Sequence, residues 1–126
     1  MAGILIQIGN EEFAARLVDD RSPETVRKIL AALPIEARTM KWGDEFYFEI
    51  PVEAERENAQ PTVRKGDLGY WPDGNCFCIF FGKTPMSTSE DVIVPASPVN
   101  VIGTIDDPGA LKKHSAGEKV TIRAAR

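Results

Sequence analysis

Residues 66–85, GDLGYWPDGNCFCIFFGKTP, decide the fold. Pro72-Asp73-Gly74 is a turn signal between two aromatic-rich runs, so the stretch reads as two strands folded back on each other. Side chains alternate across a strand, which puts Phe77, Ile79 and Phe81 on one face and Cys76, Cys78 and Phe80 on the other. Both faces are apolar. One can fill a closed interior, and the second must then be covered by a helix, a loop or a ligand.

The pattern continues on either side. Ile4, Ile6 and Ile8 alternate up to the Gly9-Asn10 turn, and Phe13, Ala15 and Leu17 alternate after it, a β-hairpin. In SPETVRKILAALP (22–34) Ser22 is placed to cap a helix, Pro23 occupies its first position, Val26, Ile29, Leu30 and Leu33 share a face, and Pro34 stops it. IEARTMKW (35–42) and DEFYFEIPV (44–52) flank a turn at Gly43. The charged run EAERENAQP (53–61) has no apolar period and reads as a solvated loop. SPVNVIGTI (97–105) and EKVTIRA (118–124) are further strands, and DDPGALKKHSAG (106–117) between them is a short helix with Asp106 or Asp107 at its cap. The count is about eight strands and two helices in one domain, 1–126, mainly β, a closed barrel or a sandwich.

Composition narrows the function. The chain has 126 residues, 43% of them hydrophobic, enough for one packed core. Fifteen basic against nineteen acidic residues give a net charge of −4, the wrong sign for a protein that binds by neutralising phosphates, so no nucleic-acid partner is expected. MAGILIQIGNEEF lacks a basic n-region, no run reaches membrane-spanning length, and two cysteines make no disulfide framework; a cytoplasmic protein is expected.

Few constellations carry chemistry. Cys76 and Cys78 lie on one strand face about 7 Å apart, which suits neither a relaxed disulfide nor a chelate, and they read as packing residues. His114 is the single histidine, at the end of the short helix, and no G-x-S-x-G elbow accompanies it. Glu45 and Glu49 are separated by about 13 Å of strand, too far for a two-carboxylate glycosidase pair. Neither a phosphate loop nor metal-ligand spacing occurs, so no metal and no cofactor is expected. The aromatic residues with polar handles, Trp42, Tyr47, Tyr70 and Trp71, cluster at strand ends and point to a concave, aromatic-lined site.

WGDEFYFEIPV (42–52), GDLGYWPDGNCFCIFFGKTPM (66–86) and ASPVNVIGTI (96–105), in that order, resemble the small prokaryotic cyclophilin-like proteins of uncharacterised function. The resemblance implies a closed, mostly antiparallel eight-stranded β-barrel with a helix at each open end. True cyclophilins are peptidyl-prolyl isomerases that bind proline peptides in a groove outside the barrel. GNCFCIFFG is similar to their G-S-Q-F-F-I strand, which would set Cys76 at a glutamine and Cys78 at a groove phenylalanine. FYFEIP is similar to their F-H-R-I-I-P, which would set Phe48 at the catalytic arginine. A phenylalanine cannot donate the hydrogen bond that weakens amide conjugation. Arg38 and Arg64 are the substitutes to look for.

The expected site is thus a groove of Trp42, Glu45, Tyr47, Phe48, Tyr70, Trp71, Cys76 and Cys78, with Thr84–Asp91 as a lid, holding a small molecule or a proline-containing peptide. The alternatives are a divergent peptidyl-prolyl isomerase, marked by an arginine reaching the cysteine face, and an interaction subunit whose groove face is buried against a partner.

Overall fold

A computed structural model describes residues 2–125. Nine strands form one antiparallel sheet that curls into a nearly closed barrel: β1 (Ala2–Ile8), β2 (Glu11–Leu17), β3 (Ile35–Arg38), β4 (Met40–Lys41), β5 (Glu45–Glu49), β6 (Asp67–Trp71), β7 (Cys76–Phe80), β8 (Asn100–Ile105) and β9 (Lys119–Ala124). Their order across the sheet is β3-β9-β1-β2-β8-β6-β7-β5-β4.

The ninth strand has a simple origin. The segment 35–42 reads as one strand but changes partner midway: Ile35–Arg38 pairs with β9, and Met40–Lys41 pairs with β5. Thr39 sits at the corner, 2% exposed. Its amide donates to Glu118 O at 2.9 Å and its hydroxyl to Ser115 O at 2.9 Å. Because β3 and β4 are the two edges of the sheet, this one residue links the edges covalently and removes the open ends that a flat sheet would expose.

Alternation decides what lies inside. Ile4, Ile6, Ile8, Phe13, Leu17, Phe46, Phe48, Leu68, Tyr70, Phe77, Ile79 and Phe81 all join one buried cluster in the barrel interior, where Phe48 stacks on Phe77 at 5.4 Å. The other faces of β6, β7 and β8 carry a second cluster, in which Cys76, Cys78, Phe80 and Val101 pack beneath Val63, Ile93 and Val99 of the loops. Isolated bridges Gln60–Val99 and Val63–Ile93 tie those two loop segments to each other over the sheet. Gly69, paired with Cys78, permits this: a Cβ there would meet Val99 at 3.1 Å and Phe80 at 3.2 Å.

Helix α1 (Pro23–Ala32) buries Val26 and Ile29 against the interior. Its expected cap is different from the one observed. Ser22 makes no cap bond, and its hydroxyl donates to Glu57 O at 3.1 Å. The Glu57 carboxylate accepts the amides of Glu24 and Thr25, each at 3.0 Å, and the Thr25 hydroxyl at 2.9 Å. Fully buried Asn100 holds this loop in place through Glu57 N–H (2.8 Å), Glu55 O (2.9 Å) and Thr25 Oγ1 (3.0 Å). The 53–61 loop is therefore pinned at its centre, and a charge from far along the chain serves the helix dipole better than the local serine. The other end of β8 leads into a 3₁₀ helix, Pro108–Lys113, which buries Leu111. Asp107 precedes it without a side-chain cap bond.

His114 closes that end. Nε2 lies 2.8 Å from Glu11 Oε1 and Nδ1 lies 3.0 Å from Glu118 Oε1, and the ring packs edge-on against Phe13. Burial works against the imidazolium, but the hydrogen bonds it donates to the two carboxylates outweigh it and raise the His114 pKa. Glu11 is lowered by its bond to His114, and Glu118 by the Ser115 amide and then by His114. The imidazolium stabilises the fold fully below about 6.5 and loses that contribution as pH rises through its folded value; the carboxylates contribute above about 4.5 and lose theirs on acidification. His114→Gln should therefore lower the thermal midpoint most near pH 5.5, and the difference from wild type should shrink at pH 8, read by circular dichroism melts. An equal loss at both pH values would contradict the charged triad.

Candidate functional site

The outer cover of loops leaves a gap. Trp42, Glu45, Tyr47, Trp71 and Ala96 line a cavity of about 150 Å³ on the outer side of β5 and β6. Local structure explains each placement. The β4–β5 hairpin is closed by paired backbone bonds between Trp42 and Glu45, 2.9 and 3.2 Å, across a Gly43-Asp44 loop. Gly43 has φ +60°, the left-handed first position of a type II′ turn, and a Cβ there would strike Lys83 O at 2.8 Å. This tight turn sets Trp42 beside Glu45. Alternation then carries Glu45 and Tyr47 outward and leaves Phe46 and Phe48 inside.

Trp71 is held from two sides. Its indole N–H donates to Ser97 Oγ, which in turn donates to Asp73 Oδ2 at 3.1 Å. Gly74 lies under the ring: a Cβ there would meet the indole at 2.7 Å. The rim residue Ala96 precedes Ser97, so one hydrogen bond positions both the ring and the rim.

Glu45 is 6% exposed. Desolvation dominates its titration, the neighbouring Cys78 thiol acts in the opposite direction, and the pKa is pushed up to about 7. No lysine, arginine or histidine among the described residues lines the cavity. Burial also raises the Cys78 thiol well above its ordinary value, with the Glu45 charge adding to it, and raises Cys76 as well. Both cysteines are buried free thiols, and neither is a nucleophile at neutral pH.

The eight expected residues do not all meet. Trp42, Glu45, Tyr47 and Trp71 do. Cys76 and Cys78 are on the expected outer face but under the loop cover, 4% and 1% exposed. Phe48 and Tyr70 belong to the interior. Tyr70 is fully buried, its hydroxyl donating to Val52 O at 2.6 Å and accepting from Ala54 N–H at 3.2 Å. The reason is the strand period: 47–48 and 70–71 are adjacent pairs, and only one member of each can face outward. The matched position of the catalytic arginine thus points into the barrel. Arg38 donates to Gly117 O, and Arg64 lines a separate, polar cavity of about 520 Å³ over β6 and β8 with Arg21, Asp67 and Asp91. Thr84–Asp91 contributes nothing to the aromatic cavity; Thr84 and Ser87 tie it to Val94. Ala96 and the Ser97–Asp73 support were not anticipated, and no sequence period marks them.

The curled antiparallel sheet with an outer-face pocket defines a cyclophilin-like barrel. The chain belongs to the Cyclophilin-like family, whose model matches residues 2–123. A hypothetical protein from Archaeoglobus fulgidus, known from its solution structure, is 41% identical, with a TM-score of 0.84 over 98% of this chain and 95% of that one. A structure of McbB in complex with tryptophan shares the fold at 15% identity and a TM-score of 0.74, over 96% of this chain and 44% of that one. No curated protein matches. No helix among the described residues is long and apolar enough to cross a membrane.

The buried carboxyl has a measurable cost. A Glu45 pKa raised from 4.5 to about 7 means that the folded state holds its proton more tightly than the unfolded chain, so stability falls as pH rises from about 4.5 to about 7. The full shift corresponds to about 3 kcal/mol above pH 7. Glu45→Gln should be close to wild type at pH 4.5 and more stable at pH 8, by about 1–3 kcal/mol in urea unfolding. A variant less stable than wild type at pH 8 would show that the ionised carboxylate is well solvated or paired.

Proposed function

We propose that this protein is a binding module that takes a small ligand, or a single side chain of an extended peptide, in the pocket of Trp42, Glu45, Tyr47 and Trp71. The observation that carries this reading is the convergence of three chain segments, 42–47, 71 and 96, on one open cavity with a buried carboxyl at its wall. Trp71 favours it further, because its indole is anchored by Ser97 and Asp73 at the cavity wall. Rigid aromatic walls bind with little loss of conformational entropy.

Cavity size limits the ligand. Drug-sized molecules fill about 300–1,000 Å³, whereas about 150 Å³ takes one benzene-sized ring. A proline ring meets that limit, as does any small compact head group. The isomerase alternative lacks support at this pocket, since no arginine among the described residues lines it and Phe48 lies in the interior. The subunit alternative is weakened because the chain's own Val63, Ile93 and Val99 already cover the cysteine face.

Titration with proline tetrapeptides and with single-ring fragments, followed by NMR, tests the reading. At least one class should move the Trp42 and Trp71 indole signals, and Trp71→Ala should weaken that binding at least about tenfold. Absence of shifts at both indoles with every probe at millimolar concentration would overturn it. A prolyl isomerase assay run alongside should show no acceleration above the uncatalysed rate.

A further inference from the structure

We propose that the ligand of this pocket is an organic cation, a substituted ammonium head seated between the rings of Trp42, Tyr47 and Trp71 and facing the Glu45 carboxylate. The inference rests on the binding reading above and deepens it by naming the chemistry of the ligand.

Three observations on the site converge. Two tryptophans and a tyrosine line one small cavity, and the faces of these rings are the side-chain surfaces that attract a cation most strongly. A carboxyl shares the same wall while being 94% removed from solvent, and no cationic side chain among the described residues lines the cavity. A buried carboxylate without a counter-charge is costly, and a neutral aromatic ligand would leave that cost in place. A ligand cation supplies the missing charge. Third, a trimethylammonium head has four heavy atoms, one nitrogen and three methyl carbons, against six for benzene, so it fits a cavity of about 150 Å³ with the rest of its molecule outside. An anionic ligand would meet aromatic rings and a carboxylate of its own sign.

The surroundings of Glu45 do not supply a cation in another way. From β7 it is faced by the Cys78 thiol, with Cys76 further along, both neutral because burial raises them. On its own strand neither Tyr47 nor Glu49, which is exposed at the strand end, supplies a cation. Asp44 next to it is engaged with Lys112 at 3.7 Å. The turn residue Trp42, the β6 residue Trp71 and the loop residue Ala96 carry no charge. Cation binding must therefore be linked to loss of the Glu45 proton: affinity should rise by up to tenfold per pH unit as pH approaches about 7 from below, and level off above it.

The same head occurs on free small molecules such as choline and on the side chain of a methylated lysine. The experiment uses the intact chain with choline, its neutral carbon isostere 3,3-dimethyl-1-butanol, and a short peptide carrying trimethyllysine, each titrated by NMR at pH 6 and pH 8. Choline or the peptide should bind at least about tenfold more tightly than the isostere, bind more tightly at pH 8 than at pH 6, and shift the Trp42 and Trp71 indole signals. Glu45→Gln, which retains shape and should fold stably, should lose the pH dependence and most of the preference over the isostere. A peptide preference above tenfold assigns the head to a side chain; equal affinity of choline and peptide assigns it to a free small molecule. Equal binding of choline and the isostere would overturn the cation proposal while leaving the pocket reading intact. Failure of these ligands and of the proline and ring probes alike would overturn both.

Discussion

Strand β7 is apolar on both faces, and the rest of the molecule is arranged to keep water off both of them. Its inner side chains, Phe77 and Ile79, force the sheet to curl around a closed interior. Its outer side chains, Cys76, Cys78 and Phe80, force the loops to fold back over the barrel wall. Hydrophobic burial sets this requirement without specifying how it is met. Thr39 meets the first half by joining the two sheet edges, and the Gln60–Val99 and Val63–Ile93 bridges meet the second. The aromatic pocket is where the second cover stops short, at the β4–β5 turn and Ala96.

That geometry explains why the acidic group matters. A carboxylate on a solvated strand face is ordinary, but Glu45 sits at the margin of the covered zone, with the apolar cluster below it and the rings of Trp42, Tyr47 and Trp71 around it. Neighbouring aromatic walls remove its water while the pocket mouth leaves it accessible to a ligand. The same burial that raises Glu45 holds the Cys78 thiol neutral, so the pair presents no thiolate nucleophile.

Much of this was legible in the sequence. The hairpin of 4–17, the helix after Pro23, the two faces of 76–81 and the β character of 97–105 all follow from period and punctuation, and family motifs identify the barrel. Four of the eight expected site residues meet in one cavity. The other four are excluded for two reasons: Phe48 and Tyr70 are strand neighbours of Tyr47 and Trp71 and so face the interior, whereas Cys76 and Cys78 face outward but lie under the loops carrying Val63, Ile93 and Val99. The ninth strand, the Glu57 cap and the Ser97 support of Trp71 were beyond the pattern because each depends on a contact between distant segments, Thr39 with Glu118, Glu57 with Thr25, Ser97 with Trp71. Nothing local to those residues distinguishes them from ordinary loop positions.

The protonation of Glu45 is the point on which the account of the site turns, and carbon-detected NMR of its side-chain carboxyl across pH 4–9, with and without choline, reads it directly. A midpoint near 7 in the free protein, falling when choline is present, is the predicted result. A free-protein midpoint near the ordinary glutamate value, about 4.3, would contradict the buried and unpaired carboxyl on which the site has been built.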